Sequence, residues 1–126
     1  MNLNQITVPS LILSKSIPFY QKLGLKLIVN SHPGYARFNC PNGDATFSIQ
    51  KVNALPKGEG IFVYFECSNL DEYVDELIAK DIKFDELPND KIWLWREAKL
   101  KDPDGNQLIL YHAGENRLNP PWKIKQ

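Results

Sequence analysis

Histidine, cysteine and methionine are scarce in this chain of 126 residues, which holds two, two and one of them respectively. Neither sign of charge prevails, since 15 Lys and Arg stand against 15 Asp and Glu. No run approaches the roughly 20 apolar residues that a membrane-spanning helix needs. Each shortage excludes a class of function. With no CxxC and no HExxH, a metal site built on His or Cys runs short of ligands before geometry is considered. Zero net charge argues against a nucleic-acid partner, whose binding needs a basic face to displace phosphate counterions, and equally against a polybasic membrane binder. The N-terminal stretch lacks a basic region followed by an apolar one, so a cytoplasmic location is expected. Cys40 and Cys67 fall in strand-like runs and read as small buried hydrophobes rather than as a disulfide pair.

What is present is core material, with 43% hydrophobic and 11% aromatic residues. One soluble domain of this length buries about two-thirds of its unfolded surface and needs no disulfide or structural metal. The chain also repeats itself: residues 5–27 resemble residues 62–84 at a constant offset of 57, a spacing that signals duplicated structural units. Leu13 falls on Leu70, Ile17 on Val74, Tyr20 on Leu77, Leu25 on Ile82 and Leu27 on Phe84.

The second copy carries the cleaner helix signal. Leu70, Tyr73, Val74, Leu77 and Ile78 recur at helical spacing over about 70–80, and Asn69 with Glu72 forms a capping box. The first helix is expected from Ser14 or Ser16 to Leu23, stopped by Gly24, with Pro18 tolerated near its first turn. Strand-like runs precede each helix at 5–8 and 62–65. They follow at 25–29, 35–40 and 45–50, then at 82–84, 92–100 and 107–112, punctuated by turn signals at 32–34, 41–43, 87–90 and 102–105. The reading is α+β: two fused βαβββ modules, about 3–50 and 61–112, a linker over 51–60 and a tail over 113–126. The strands would form a curved mixed sheet with helices on its outer face and a concave ligand cup opposite.

Strand alternation sorts the side chains. Ile6, Val8, Phe47, Ile49, Val63, Phe65, Leu108 and Leu110 form a wholly apolar set that must meet the helices. The opposite set is Gln5, Thr7, Ser48, Gln50, Phe62, Tyr64, Glu66, Gln107, Ile109 and Tyr111. Aromatic residues beside sparse polar groups suit a small-molecule pocket. Trp93 and Trp95, two apart on an expected strand, would share a face. Phe62, Tyr64, Trp93, Trp95 and Tyr111 would supply stacking area, while Gln5, Arg37, Ser48 and Gln50 would orient the ligand by hydrogen bonds.

The order and spacing of several motifs carry a resemblance. Ser16-Ile-Pro-Phe-Tyr20 with Lys22-Leu-Gly24, Ser68-Asn-Leu-Asp71, Trp95-Arg-Glu97 and Asp102-Pro-Asp-Gly-Asn106, set in paired βαβββ modules, resemble the vicinal-oxygen-chelate superfamily of glyoxalase I, extradiol dioxygenases and the fosfomycin and bleomycin resistance proteins. The resemblance spans about residues 3–112. It implies a divalent metal held by the first and last strands of each module, at positions that fall on Gln5, Ser48, Phe62 and Ile109. Of these only Gln5 can ligate, because Phe62 and Ile109 offer no lone pair and a neutral Ser hydroxyl is a poor ligand. Glu66, His32 and His112 are badly placed to rebuild the site. The chain therefore resembles the metal-free bleomycin-resistance-like members more closely, which implies no cofactor and a small-molecule ligand held by a homodimer. The alternative is a lyase or isomerase with a degenerate metal site at Gln5, or a metal-free catalyst using Glu66 or Glu97 as base. The tail, with Asn119-Pro-Pro-Trp122, reads as a clamp over a cleft or a partner copy.

Overall fold

The computed structural model describes residues 1–31 and 33–125. Its order is β1 (Gln5–Ser10), α1 (Leu13–Leu23), β2 (Lys26–Ser31), β3 (Tyr35–Asn39), β4 (Thr46–Lys51), β5 (Phe62–Glu66), α2 (Leu70–Ala79), β6 (Glu86–Asp90), β7 (Arg96–Lys101) and β8 (Gln107–His112), with a short 3-10 turn at Gly114–Asn116. The architecture is α+β, and each half is βαβββ as its sequence pattern predicts. The strands form two four-stranded mixed sheets rather than one, ordered β1-β4-β3-β2 and β5-β8-β7-β6. Both pair the first strand of a half parallel to its last.

The chain divides into two compact units, Met1–Gly60 with Asp102–Asn106, and Ile61–Lys101 with Gln107–Gln126. In the first, α1 covers the apolar sheet face through Tyr20, whose ring lies 4.6 Å from Phe47 and 5.8 Å from Phe38. Val8, Leu23, Ala36 and Ile49 complete this core. In the second, Leu70, Val74 and Leu77 of α2 are buried together with Val63, Ala98, Leu100, Leu108 and Leu110. The set sorted by alternation as helix-facing is thus core, with Ile6 and Phe65 only half-buried.

The turn at 102–106 belongs to the first unit although its flanking strands belong to the second. Buried Asp102 accepts bonds from the Tyr20 hydroxyl (2.6 Å), from the Asp104 and Asn106 amides (both 2.9 Å) and from Asn106 Nδ2 (2.8 Å). Asp104 accepts from the Leu11 amide at 2.8 Å and from the Ser16 hydroxyl at 2.9 Å. Burial, then the charge of Asp102, pushes the Tyr20 phenol far above its ordinary range.

Both helices end alike. Gly24 takes φ 110° while the amide of Leu25 bonds Tyr20 O; Asp81, 57 positions on, takes φ 66° while the amide of Ile82 bonds Leu77 O. These are left-handed C-terminal closures of one design.

Five local expectations need correction. Helix α1 begins at Leu13, so Pro18 sits in its second turn and removes the N–H that would bond Ser14 O; Ser14 is exposed, and water can take that place. Asn69 makes no side-chain cap bond, so the capping box is not formed. The run 82–84 is not a strand, and the expected turn at 87–90 lies inside β6. Pro88 fits there because the β6–β7 register shifts between Glu86 and Asn89, and a bulge on an edge strand can spare one N–H. The turn falls instead on 92–94, where Leu94 has φ 66° and bonds back to Lys91 O. Neither Trp93 nor Trp95 is therefore in a strand. His32 lies outside the described residues.

Candidate functional site

The sheet face turned away from the helix carries different chemistry in the two units. In the first unit it is a hydrogen-bonded polar surface. Thr7 pairs with Ser48 across β1 and β4, and Ser48 with Arg37 across β4 and β3, which brings all three to one face. Gln5 Nε2 donates to Ser48 Oγ at 2.8 Å, and the Gln5 carbonyl accepts from the Thr46 hydroxyl. Ser48, fully buried, shares a 2.7 Å hydrogen bond with the Tyr35 hydroxyl, which also accepts from Arg37 Nε at 2.9 Å. The Arg37 guanidinium carbon lies 5.4 Å from the Tyr35 ring centre. Gln50 stands at the same edge and donates to Gly34 O at 3.2 Å.

A guanidinium donor and a neighbouring hydroxyl that can also donate favour the ionised form of a phenol. The Ser48 hydroxyl, then Arg37, hold Tyr35 below its ordinary value against a weaker opposing effect of burial. Gln5, Arg37 and Ser48 are thus brought into one network, and its hub is a residue that the sequence reading passed over. Tyr35 lies two before Arg37 on one strand, so alternation already places it on this face.

In the second unit the corresponding face is aromatic. Tyr64 pairs with Ile109 and Glu66 with Tyr111 across β5 and β8, and Glu97 pairs with Tyr111 across β7 and β8. Trp95 stacks on Tyr111 at 4.7 Å and 21°, and Tyr64 meets both edge-on at 5.9 and 5.5 Å. Ile109, Tyr111 and Ala113 form a small apolar cluster under Trp95, whose indole N–H donates to Asn116 O at 3.3 Å. Phe62 and Tyr64 remain about half exposed, whereas Ile109 and Tyr111 are buried. Trp93 reaches this face from the 92–94 turn, where its indole N–H donates to Glu97 Oε2 at 2.7 Å. Burial, then the charge of Glu97, raises the Tyr64 phenol.

Glu66 is spent on structure. Its Oε2 accepts from the amides of Ala113 (2.8 Å) and Gly114 (3.0 Å), and Arg117 and His112 stand 3.9 Å away. Burial alone would raise its pKa, but the two amides, with His112 and Arg117 beside the carboxylate, prevail and hold it below the ordinary carboxylate value. The tail therefore begins as a capped turn folded back on the second unit's own sheet.

The four positions where the resemblance places metal ligands do not fit a divalent ion. Gln5 and Ser48 are engaged with each other, Ile109 is buried, and Phe62 and Ile109 have no donor atoms. Among the described residues no three His, Cys, Asp or Glu side chains are grouped to hold one. A hollow of about 250 Å³ lies at the start of α2 beside Arg96 and His112, but Arg96 is committed to Asp71 (2.8 and 3.0 Å) and Asp90 (3.0 Å). No helix among the described residues is long and apolar enough to cross a membrane.

A sequence model described as the Glyoxalase/Bleomycin resistance protein/Dioxygenase superfamily matches residues 2–110. No curated protein matches the chain in sequence. Solved structures share its fold. A glyoxalase/bleomycin resistance protein/dioxygenase from Nocardioides is 24% identical with a TM-score of 0.79, over 99% of this chain and 90% of that one. Lactoylglutathione lyase from Agrobacterium tumefaciens is 16% identical with a TM-score of 0.74, over 88% and 92%. A bleomycin-binding protein complexed with bleomycin is 19% identical with a TM-score of 0.72, over 89% and 98%.

Proposed function

The chain belongs to the glyoxalase/bleomycin resistance protein/dioxygenase superfamily, and from that premise we propose that it is a metal-independent binding protein for a small, planar or amphipathic molecule. One observation carries this reading: Tyr64 of β5, Tyr111 of β8 and Trp95, just ahead of β7, form a contiguous aromatic surface beside half-exposed Phe62, and the positions where the resemblance would put metal ligands on β5 and β8 hold Phe62 and Ile109. Aromatic faces bind planar molecules by stacking and area burial without electrophilic assistance. The first unit's own sheet face carries a polar network of Gln5, Ser48, Tyr35 and Arg37 with Gln50 at its edge. The working form we propose is a homodimer, in keeping with a drug-sequestering role.

The enzyme alternatives find less support. Gln5 has its amide committed to Ser48 and Thr46, and Glu66 has its carboxylate committed to two backbone amides. Tryptophan fluorescence of a Trp122→Phe protein, titrated with a broad panel of planar antibiotics and metabolites, tests the binding reading. A saturable change that is lost in Trp95→Leu is the expected result; a panel that leaves the emission untouched defeats the proposal. Metal analysis of protein purified without chelator separates the classes, since stoichiometric metal would contradict metal independence.

A further inference from the structure

Glu97 is a buried acid with no ion pair among the described residues. It is only 2% exposed, and its side chain has one hydrogen-bond donor among the described residues, the uncharged indole of Trp93. The ion pairs the second unit makes on and beside this sheet go elsewhere: Lys91 and Lys99 to Glu86, Arg96 to Asp71 and Asp90, Lys101 to Asp85, and Arg117 to Glu66. Buried carboxylates are ordinarily paired, because leaving one charge uncompensated in a dry environment is strongly unfavourable. A carboxylate has about four acceptor positions, and the indole fills one.

The surroundings match the charge. Trp93 covers the carboxylate, Tyr111 lies directly across the ladder from it, and Trp95 and Tyr64 pack on Tyr111. Aromatic faces attract cations through their quadrupoles, most strongly where water is excluded. An acid set among four aromatic side chains is a poor site for an anion and an indifferent one for a neutral ring. Both features favour a positively charged nitrogen attached to an apolar or planar body.

We propose that the second unit's sheet face recognises a cationic nitrogen on the ligand, with Glu97 as its counter-charge and Tyr64, Trp93 and Trp95 as its aromatic wall. This rests on the binding reading above and specifies the chemical class of what is bound: an aryl or alkyl ammonium or amidinium compound. Selectivity of this kind is local and needs no net negative charge, so the balance of 15 acids and 15 bases is no obstacle. The raised phenol of Tyr64, which responds to Glu97 as well as to burial, places that half-exposed ring within the field of the carboxylate.

Four probes built on one benzyl group decide the matter: benzyltrimethylammonium, benzylamine, benzyl alcohol and phenylacetate, titrated at neutral pH and followed by calorimetry and by the indole N–H resonances. The two cations should bind at least about tenfold more tightly than the alcohol, and phenylacetate weakest of all. Glu97→Gln keeps an acceptor for the Trp93 indole and removes the charge, so it should bring the cations to the level of the alcohol while the indole resonance stays hydrogen-bonded. Tyr64→Leu, which leaves the carboxylate alone, should weaken the cations more than the alcohol. Equal binding of alcohol and cation to the unmodified protein overturns the charge assignment and leaves aromatic binding intact. Cation preference that survives in Glu97→Gln overturns the role of Glu97. Silence from all four probes overturns this inference, and the wider planar panel then decides the reading beneath it.

Discussion

The five tyrosines are shifted in both directions from the ordinary phenol value. Tyr35 sits below its ordinary value of 10.0 under the influence of Ser48 and Arg37, Tyr64, Tyr73 and Tyr111 sit above it through burial, and Tyr20 far above. An alkaline titration followed by phenolate absorbance should therefore lose Tyr35 first, below pH 10, and Tyr35→Phe should delete that earliest step. The raised tyrosines hold protons more tightly folded than unfolded, so stability should fall as pH climbs past 10. Glu66 has the opposite sign. Its lowered pKa contributes stability that is complete above pH 4.5 and is lost as pH falls through the folded value. Glu66→Gln should cost about 1 kcal/mol at neutral pH, discounted for partial exposure, and should flatten the acid limb of a melting-temperature profile. Which residues share a face is readable from alternation, which sets Gln5, Thr7 and Ser48 on one side of the first sheet. That Ser48, Ile109 and Tyr111 would be buried was not readable, because alternation assigns a side and is silent on what covers it. Ala113 and Trp95, which pack with Ile109 and Tyr111, come from a tail and a turn.

At the scale of elements, the duplicated pattern located both helices and most strands, since amphipathic periods and the offset of 57 record packing directly. It failed at residues 82–95, where an apolar Ile-Trp-Leu-Trp run looks like a strand and Pro-Asn-Asp looks like a turn. The structure reverses them: a bulge admits Pro88 to β6, and Leu94 turns through a left-handed conformation without glycine. The matched helix ends offer a test of how far the repeat is physical. Gly24→Ala should destabilise by about 1 kcal/mol, because a β-carbon is disfavoured at φ 110°, and Asp81→Gly should relieve up to about that amount at the equivalent position. Chemical denaturation of the two variants would show shifts of opposite sign. Equal signs would mean that the two closures share geometry and differ in energetics.

At the scale of the molecule, the first unit is discontinuous in sequence, and its closing piece is the turn that opens the last strand. Asp102 ties that turn to α1 through Tyr20, and Asp104 ties it through Ser16 and Leu11. Asp102→Ala should cost about 3 kcal/mol by leaving the buried Tyr20 hydroxyl and two amides without acceptors. A fragment of residues 1–60 should show neither cooperative unfolding nor dispersed amide resonances in its own right. The sequence motif Asp-Pro-Asp-Gly-Asn marked a turn; nothing local to it could say that its partners lie some 80 to 100 residues earlier. For a chain emerging from the ribosome at about 5–20 residues per second, this arrangement sets a schedule. The N-terminal half is synthesised first yet waits several seconds for its final stitch, and until then it presents Tyr20, Phe38 and Phe47 to whatever chaperone stands at the exit.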